Sequence, residues 1–157
     1  SIPKAGNMEL IVQKAVELGV ASIQPLMTEN TVAKADDKKL QKWQRIALEA
    51  CKQCGQNWLP EVKPVLHFND WVGAREVSEI EIVAALDSRS EEMKSVLARL
   101  NQVASASLLV GPEGDFSQSE YDAVIGSGYQ PISLGEIVLR VETATLYCLS
   151  VLRYELS

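Results

Sequence analysis

Apolar residues in the first stretch of the chain recur at helical spacing. Met8, Ile11, Val12, Ala15, Val16 and Leu18 fall on one side of a 3.6-residue repeat, with Asn7 as candidate cap and Gly19 as stop. A short strand pattern follows over 21–26. Between Asp37 and Cys54, the residues Leu40, Trp43, Ala47, Ala50 and Cys54 share one face, and Gly55 ends the run, so the spacing predicts a second amphipathic helix over 37–54. Strand signals then recur over 62–66, 80–86, 107–110 and 131–134, with helical patterns over 90–101 and 117–127 between them and a closing helix over 141–154. Strands alternating with helices predict an α/β domain with a largely parallel sheet covered on both faces. No repeat, low-complexity tract or internal linker interrupts the pattern. With 157 residues, 46% of them hydrophobic, the chain suits one globular domain with a substantial core.

Ligands of open parallel sheets bind beyond the carboxyl ends of the strands. Three strand ends here carry unusual residues: Ala84-Ala85-Leu86-Asp87, Val110-Gly111-Pro112-Glu113-Gly114 and Leu134-Gly135-Glu136. The second runs on into Ser117 and Glu120, at the spacing of a helix-opening capping box. Glycines at such ends allow positive φ and close approach of a ligand to the main chain. The third runs into LGEIVLRVETA, apolar but for Glu136 and Arg140 until it enters the last helix through Glu142 and Thr143. An arginine between Leu139 and Val141 needs a partner: a salt bridge to Glu113 or Glu142, or an electron-rich ligand. Neither a G-x-G-x-x-G after a strand nor a G-x-x-x-x-G-K-[ST] occurs, so the signatures of dinucleotide and Walker phosphate loops are missing.

Charge and cysteines narrow the classes further. The net charge is −6, from 15 Lys and Arg against 21 Asp and Glu, which does not suit a chain that grips nucleic acid by itself. Lys34, Lys38, Lys39, Lys42, Arg45 and Lys52 cluster in one segment, but Asp36, Asp37 and Glu49 are mixed with them, as on a solvated helix face. Cys51, Cys54 and Cys148 make an odd count, against a disulfide framework. With His67 the only histidine, the C-x-x-C pair lacks the further ligands of a zinc site and reads as structural, with no metal expected. No apolar run approaches the roughly 20 residues that span a bilayer. The first residues, SIPKAGNMEL, lack the regions of a secretory signal, so a cytoplasmic location away from membranes is expected.

The succession ELIVQKAVELGV, KWQRIALEACKQCGQN, LLVGPEGDFS and LGEIVLRVETA, from about Lys4 to the carboxyl terminus, resembles the catalytic domain of the bacterial 16S ribosomal RNA uridine-N3 methyltransferases of the RsmE type, members of the SPOUT class. The resemblance implies an α/β fold with a carboxyl-terminal deep trefoil knot, an exception to the rule that chains do not thread their own loops. It implies S-adenosylmethionine as cofactor, ribosomal RNA or the small ribosomal subunit as partner, and a homodimer. Val110, Gly111, Pro112, Glu113, Gly114, Leu134 and Gly135 would shape the cofactor pocket. Leu86 would line the first crossing, and Leu139, Arg140, Val141, Thr143 and Ala144 would close the pocket. Arg140 would orient the base and stabilise an anionic uracil, and Glu142 is a weaker catalytic candidate whose other role is a favourable charge at a helix start.

This sequence departs from the family pattern at Asn30 and Gln56, where arginine is usual, at Glu136-Ile137, where Pro-Arg is frequent, and at Asp115, where glycine is common. The family's amino-terminal PUA-like RNA-binding barrel is also expected to be absent from this chain, leaving a single domain over 1–157. Two readings stand beside rRNA uridine methylation: a member of the same fold with another RNA target or without turnover, and an unrelated α/β binding or redox protein using Cys51 and Cys54. Changing both of these cysteines to Ser should lower the melting temperature and leave activity nearly unchanged; a large activity loss at an unchanged melting temperature would support the redox reading.

Overall fold

The computed structural model describes every residue except Ala5, Lys34, Asn101 and Ser157. Helix α1 (Asn7–Glu17) buries Met8, Ile11, Val12, Ala15 and Val16, as the spacing predicts. Asn7, however, does not cap it. Gly6 holds the cap position at φ 83°, and the Asn7 amide donates instead to Glu142 Oε2 at 3.2 Å.

The strand expected over 21–26 is two short ones, β1 (Ser22–Ile23) and β2 (Leu26–Met27). The next helix, α2, covers Asp37–Cys54. It opens on Asp36, which accepts from the Lys39 amide at 2.9 Å, and stops at Gly55 in the left-handed region. Its buried face is Trp43, Ala47, Ala50 and Cys51, packed against α1, whereas Cys54 is exposed rather than on the apolar face. The strand expected over 62–66 is again split, into β3 (Glu61–Val62) and β4 (Leu66–His67). Both breaks fall at prolines, Pro25 and Pro64, which lack the N–H a ladder needs. The fragments pair in parallel, β1 with β3 and β2 with β4.

Of the basic cluster, Lys38, Lys39, Lys42, Arg45 and Lys52 are exposed on α2, Lys42 pairing with Glu9 and Lys52 with Glu49. Lys34 lies outside the described residues.

Helix α3 (Phe68–Ala74) has no counterpart in the sequence pattern, because seven residues are too few to show a period. It inserts Phe68 and Trp71 into an aromatic cluster with Phe116, Tyr121 and Tyr129. Strand β5 (Ile80–Ala84) follows, then β6 (Glu91–Glu92) and a short helix α4 (Met93–Leu97). The helix expected over 90–101 is thus reduced to its middle, its first residues joining the sheet and Asn101 lying outside the described residues. Strand β7 (Ala106–Val110), helix α5 (Gln118–Gly126), strand β8 (Gln130–Ser133) and helix α6 (Val141–Glu155) complete the chain.

The main sheet runs β6-β8-β5-β7, with every described pairing parallel. Residues of β5 alternate between its two faces. Ile80 and Ile82 pack with Ile132, Cys148 and Leu152 on the α4–α6 side, and Val83 and Ala85 pack with Leu109, Phe116 and Tyr129 on the α3–α5 side. On that second side Glu81 is buried too, paired with Arg75, whose guanidinium stacks 5.0 Å from the Tyr129 ring centroid and donates to the Ser127 carbonyl. Burial of Cys148 against the other face pushes its thiol up to about 12, so it is a neutral packing group.

The expected capping box is present at α5: Ser117 accepts from the Glu120 amide while Glu120 Oε2 accepts from the Ser117 amide at 3.0 Å. Glu120 is buried, and its other oxygen accepts from the Glu29 amide at 2.9 Å. One carboxylate therefore ties the turn around 28–31 to the loop after β7. Ser117→Ala, which removes only a cap, should cost about 1 kcal/mol. Glu120→Ala strands two backbone donors and should cost about 2–3 kcal/mol, measured by urea unfolding. Equal losses for the two variants would contradict the tie.

Candidate active site

Parallel pairing fixes where the unusual strand ends meet. Ala84 of β5 lies beside Val110 of β7 on one side and Ile132 of β8 on the other, so the three chains leave the sheet at one level. The segments that follow enclose a cleft of about 280 Å³. The β5 end contributes Ala84, Ala85 and Leu86. From the β7 end come Val110, Gly111, Pro112, Glu113 and Asp115. The β8 end and the start of α6 supply Ser133, Leu134, Gly135, Ile137, Val138, Leu139, Arg140, Val141 and Ala144.

Most of the residues singled out in the sequence are thus brought together. Gly114, Glu142 and Thr143 are not among the lining residues. Gly114 faces away, toward Asn30: a Cβ there would come within 3.1 Å of Asn30 Cβ. The Asn30 amide donates to the Gly114 and Asp115 carbonyls, both at 3.0 Å, so the residue standing where an arginine is usual is bonded to the loop. Gln56, at another such position, donates to the Val16 carbonyl. Ile137 is exposed at the cleft. Glu142, held by Asn7, joins the start of α6 to α1.

The glycine requirement differs between loops. Gly111 is buried, and a Cβ on it would stand 3.1 Å from Asp115 Oδ1 and 3.2 Å from the Phe116 ring. Here the need is for close packing. Gly135 has φ 109°, so it lets the chain turn back from β8 over the cleft.

Asp115, which the sequence showed only as a departure from the family's glycine, lines the cleft, as do Ser133 and Val138, which were not singled out in the sequence. Asp115 has φ 59°, the left-handed region, which Asp tolerates better than most side chains. Its Oδ1 accepts from its neighbour's amide, Phe116 N, at 2.9 Å and from Tyr121 Oη at 2.6 Å. Tyr121 Oη in turn accepts from the Leu86 amide at 3.3 Å. Burial, reinforced by the bond to Asp115, raises the Tyr121 phenol far above its ordinary value, so it stays a neutral donor. The chain Leu86–Tyr121–Asp115 fastens the β5 loop to the β7 loop. Its signal in the sequence is weak: an aspartate one residue past a Gly-Pro-Glu-Gly turn and six before a tyrosine.

Beside this rim Asp87 is held well below the usual carboxylate range by hydrogen bonds from Arg89, which also pairs with Asp122 on α5. That arginine is occupied. Arg140 is not: it is exposed, lines the cleft, and forms no ion pair with Glu113, Glu142 or any other described residue. Its backbone is extended and its carbonyl accepts the first bond of α6, from the Ala144 amide at 2.8 Å. The positive end of a fifteen-residue helix and a guanidinium therefore stand on one side of the cleft, with the carboxylates of Glu113 and Asp115 also in its wall. Apolar walls, a close-packed glycine that lets the main chain line the cleft, and charges of both signs suit a zwitterionic organic ligand.

Known proteins share this fold. Residues 1–153 match the family model described as an RNA methyltransferase domain. The ribosomal RNA small subunit methyltransferase E of Synechocystis is 37% identical over 153 residues, covering 96% of this chain and 50% of the relative; that of Bacillus subtilis is 31% identical over 162 residues, covering 98% and 63%. Among solved structures, a Legionella pneumophila methyltransferase in complex with S-adenosylmethionine superposes with a TM-score of 0.88 at 36% identity, over 98% of this chain and 63% of that one. A Neisseria gonorrhoeae ribosomal RNA small subunit methyltransferase E, also bound to S-adenosylmethionine, gives 0.85 at 29% identity, over 98% and 63%. The chain spans about half to two-thirds of the length of these relatives. With the family model matched along nearly all of it and the same fold recovered at high similarity, the chain belongs to the RNA methyltransferase family, of which it carries the domain over 1–153.

Proposed function

We propose that residues 1–157 act as one S-adenosylmethionine-dependent catalytic unit that methylates N3 of a uridine in 16S ribosomal RNA of the small subunit. The observation that carries this reading is the cleft at the ends of β8, β5 and β7, with an unpaired Arg140 at its edge, in a chain whose relatives are named for that rRNA and are solved with that cofactor. The cofactor, when bound, supplies a methyl group already activated on a sulfonium, so no metal is required.

What remains for the protein is alignment and charge. Main chain from Val110 to Glu113 and around Gly135 would cradle the cofactor, with Leu86, Leu139, Val141 and Ala144 as its apolar walls. Arg140 supplies the positive charge that orients the base and stabilises the uracil anion left when the N3 proton departs. Glu142, engaged with Asn7 and outside the lining, is assigned to holding α6 in place.

The strand order supports the knot that the family resemblance implies. Strand β8 enters between β5 and β6, both earlier in the chain, and the segment after it lies against the segments that follow β5 and β7. We assign 134–144 as the threaded segment. The homodimer reading draws support from Tyr147 and Tyr154, exposed on the last helix. A location in the cytoplasm follows from the proposed substrate, and no helix among the described residues is long and apolar enough to cross a membrane.

A second reading, cofactor binding with another RNA target or without turnover, is favoured by Asn30 and Gln56, whose amides bond to the chain's own backbone instead of offering cationic groups to RNA. Titration calorimetry with S-adenosylmethionine and, separately, NADH, combined with methyl transfer to small-subunit rRNA, decides between them. The first reading predicts micromolar binding of the methyl donor, none of NADH, and a methyl group on uracil N3. In Arg140→Ala, binding should stay within a few fold while transfer falls by at least about a hundredfold. Unchanged transfer in that variant would remove Arg140 from its role; binding without transfer in the unaltered chain would establish the second reading.

A further inference from the structure

Transfer of the methyl group changes the charge of what the cleft holds. S-adenosylmethionine carries a sulfonium and an ammonium against one carboxylate, hence one net positive charge. When the S–CH3 bond breaks and the methyl joins the uracil nitrogen, the bonding pair stays on sulfur, and S-adenosylhomocysteine leaves with none. A fixed negative charge in the wall therefore distinguishes donor from spent product, two molecules of nearly the same shape.

Asp115 has the properties such a charge needs. It lines the cleft, is only partly exposed, and forms no ion pair with any described residue. Its Oδ1 is engaged by Phe116 N and Tyr121 Oη, which fix the carboxylate in place, and both donors are neutral, so neither cancels its charge. Asp115 belongs to the wall of this cleft of about 280 Å³, so its charge acts on a ligand held there with little water between them. Glu113 adds a second carboxylate but is exposed and better screened by water.

Resting on the cofactor reading above, we propose that Asp115 is a specificity-determining residue: its carboxylate makes the cleft prefer the cationic methyl donor over the uncharged thioether product, and so speeds replacement of one by the other. Neither hydrogen bond to Oδ1 needs the negative charge. An asparagine oxygen can accept both, and asparagine also tolerates the left-handed backbone found here. Asp115→Asn thus separates charge from architecture.

The test is the ratio of the dissociation constants of S-adenosylhomocysteine and S-adenosylmethionine, measured by calorimetry on the unaltered chain and on Asp115→Asn, with the melting temperature of each. The unaltered chain should favour the donor, and the asparagine variant should lower the ratio on the order of tenfold, chiefly by weakening the donor. Asp115→Gly, which the backbone also permits, should lower it similarly and serves if the asparagine variant does not fold. Both ligands binding with the same ratio in all three proteins would overturn the role of Asp115 and leave the cofactor reading standing. Failure of S-adenosylmethionine to bind the unaltered chain would overturn both.

Discussion

Everything at the candidate site follows from the parallel pairing of β8, β5 and β7. Main-chain hydrogen bonds hold Ala84 level with Val110 and Ile132, and a parallel ladder sends all three chains out at the same edge. Burial on both faces enforces that register. Ile82, Val83 and Ile132 are essentially inaccessible, and a one-residue slip would turn Glu81 into the aliphatic side of the sheet, away from its Arg75 partner. The three loops meet because the ladder leaves them no other place.

Convergence alone would leave three mobile loops. Here polar bonds between segments distant in sequence hold them to one another and to the body. Glu120 reaches back to Glu29, Asn30 takes the carbonyls of Gly114 and Asp115, and Tyr121 joins Leu86 to Asp115. These bonds lie beside or beneath the cleft, while its mouth is ringed by exposed apolar and cationic groups: Leu86, Ile137, Val138 and Arg140. The division suits a site whose floor is preorganised and whose edge meets a large substrate.

Where a physical rule acts over neighbouring residues, the sequence made the structure legible. Helix α2 runs over the span its periodicity marks, its Gly55 stop is in place, and the Ser117–Glu120 box forms as its spacing requires. The glycine-bearing strand ends could be assigned to one rim because a parallel sheet follows from the alternation of elements. Less visible were the effects of position in space. Pro25 and Pro64 cut two expected strands at points that look alike on a hydropathy profile, and α3 is too short to have a period. Asn7 reads as a cap, but the helix opens one residue earlier, at Gly6, and the Asn7 amide donates to Glu142, distant in sequence. Asp115 acquires meaning only when the loops are assembled and Tyr121 joins it to Leu86. The pattern of four linked motifs supplied the family, which no single loop could have done.

The central claim is that one ligand contacts all three loops at once. Backbone amide NMR of the chain during titration with S-adenosylmethionine tests it most directly. The account predicts saturable shifts at Leu86, at Gly111 and Glu113, and at Gly135, Leu139 and Val141 together, with one common dissociation constant. Shifts confined to one loop, or located instead along the groove between α1 and α2 around Leu10 and Ile46, would contradict it.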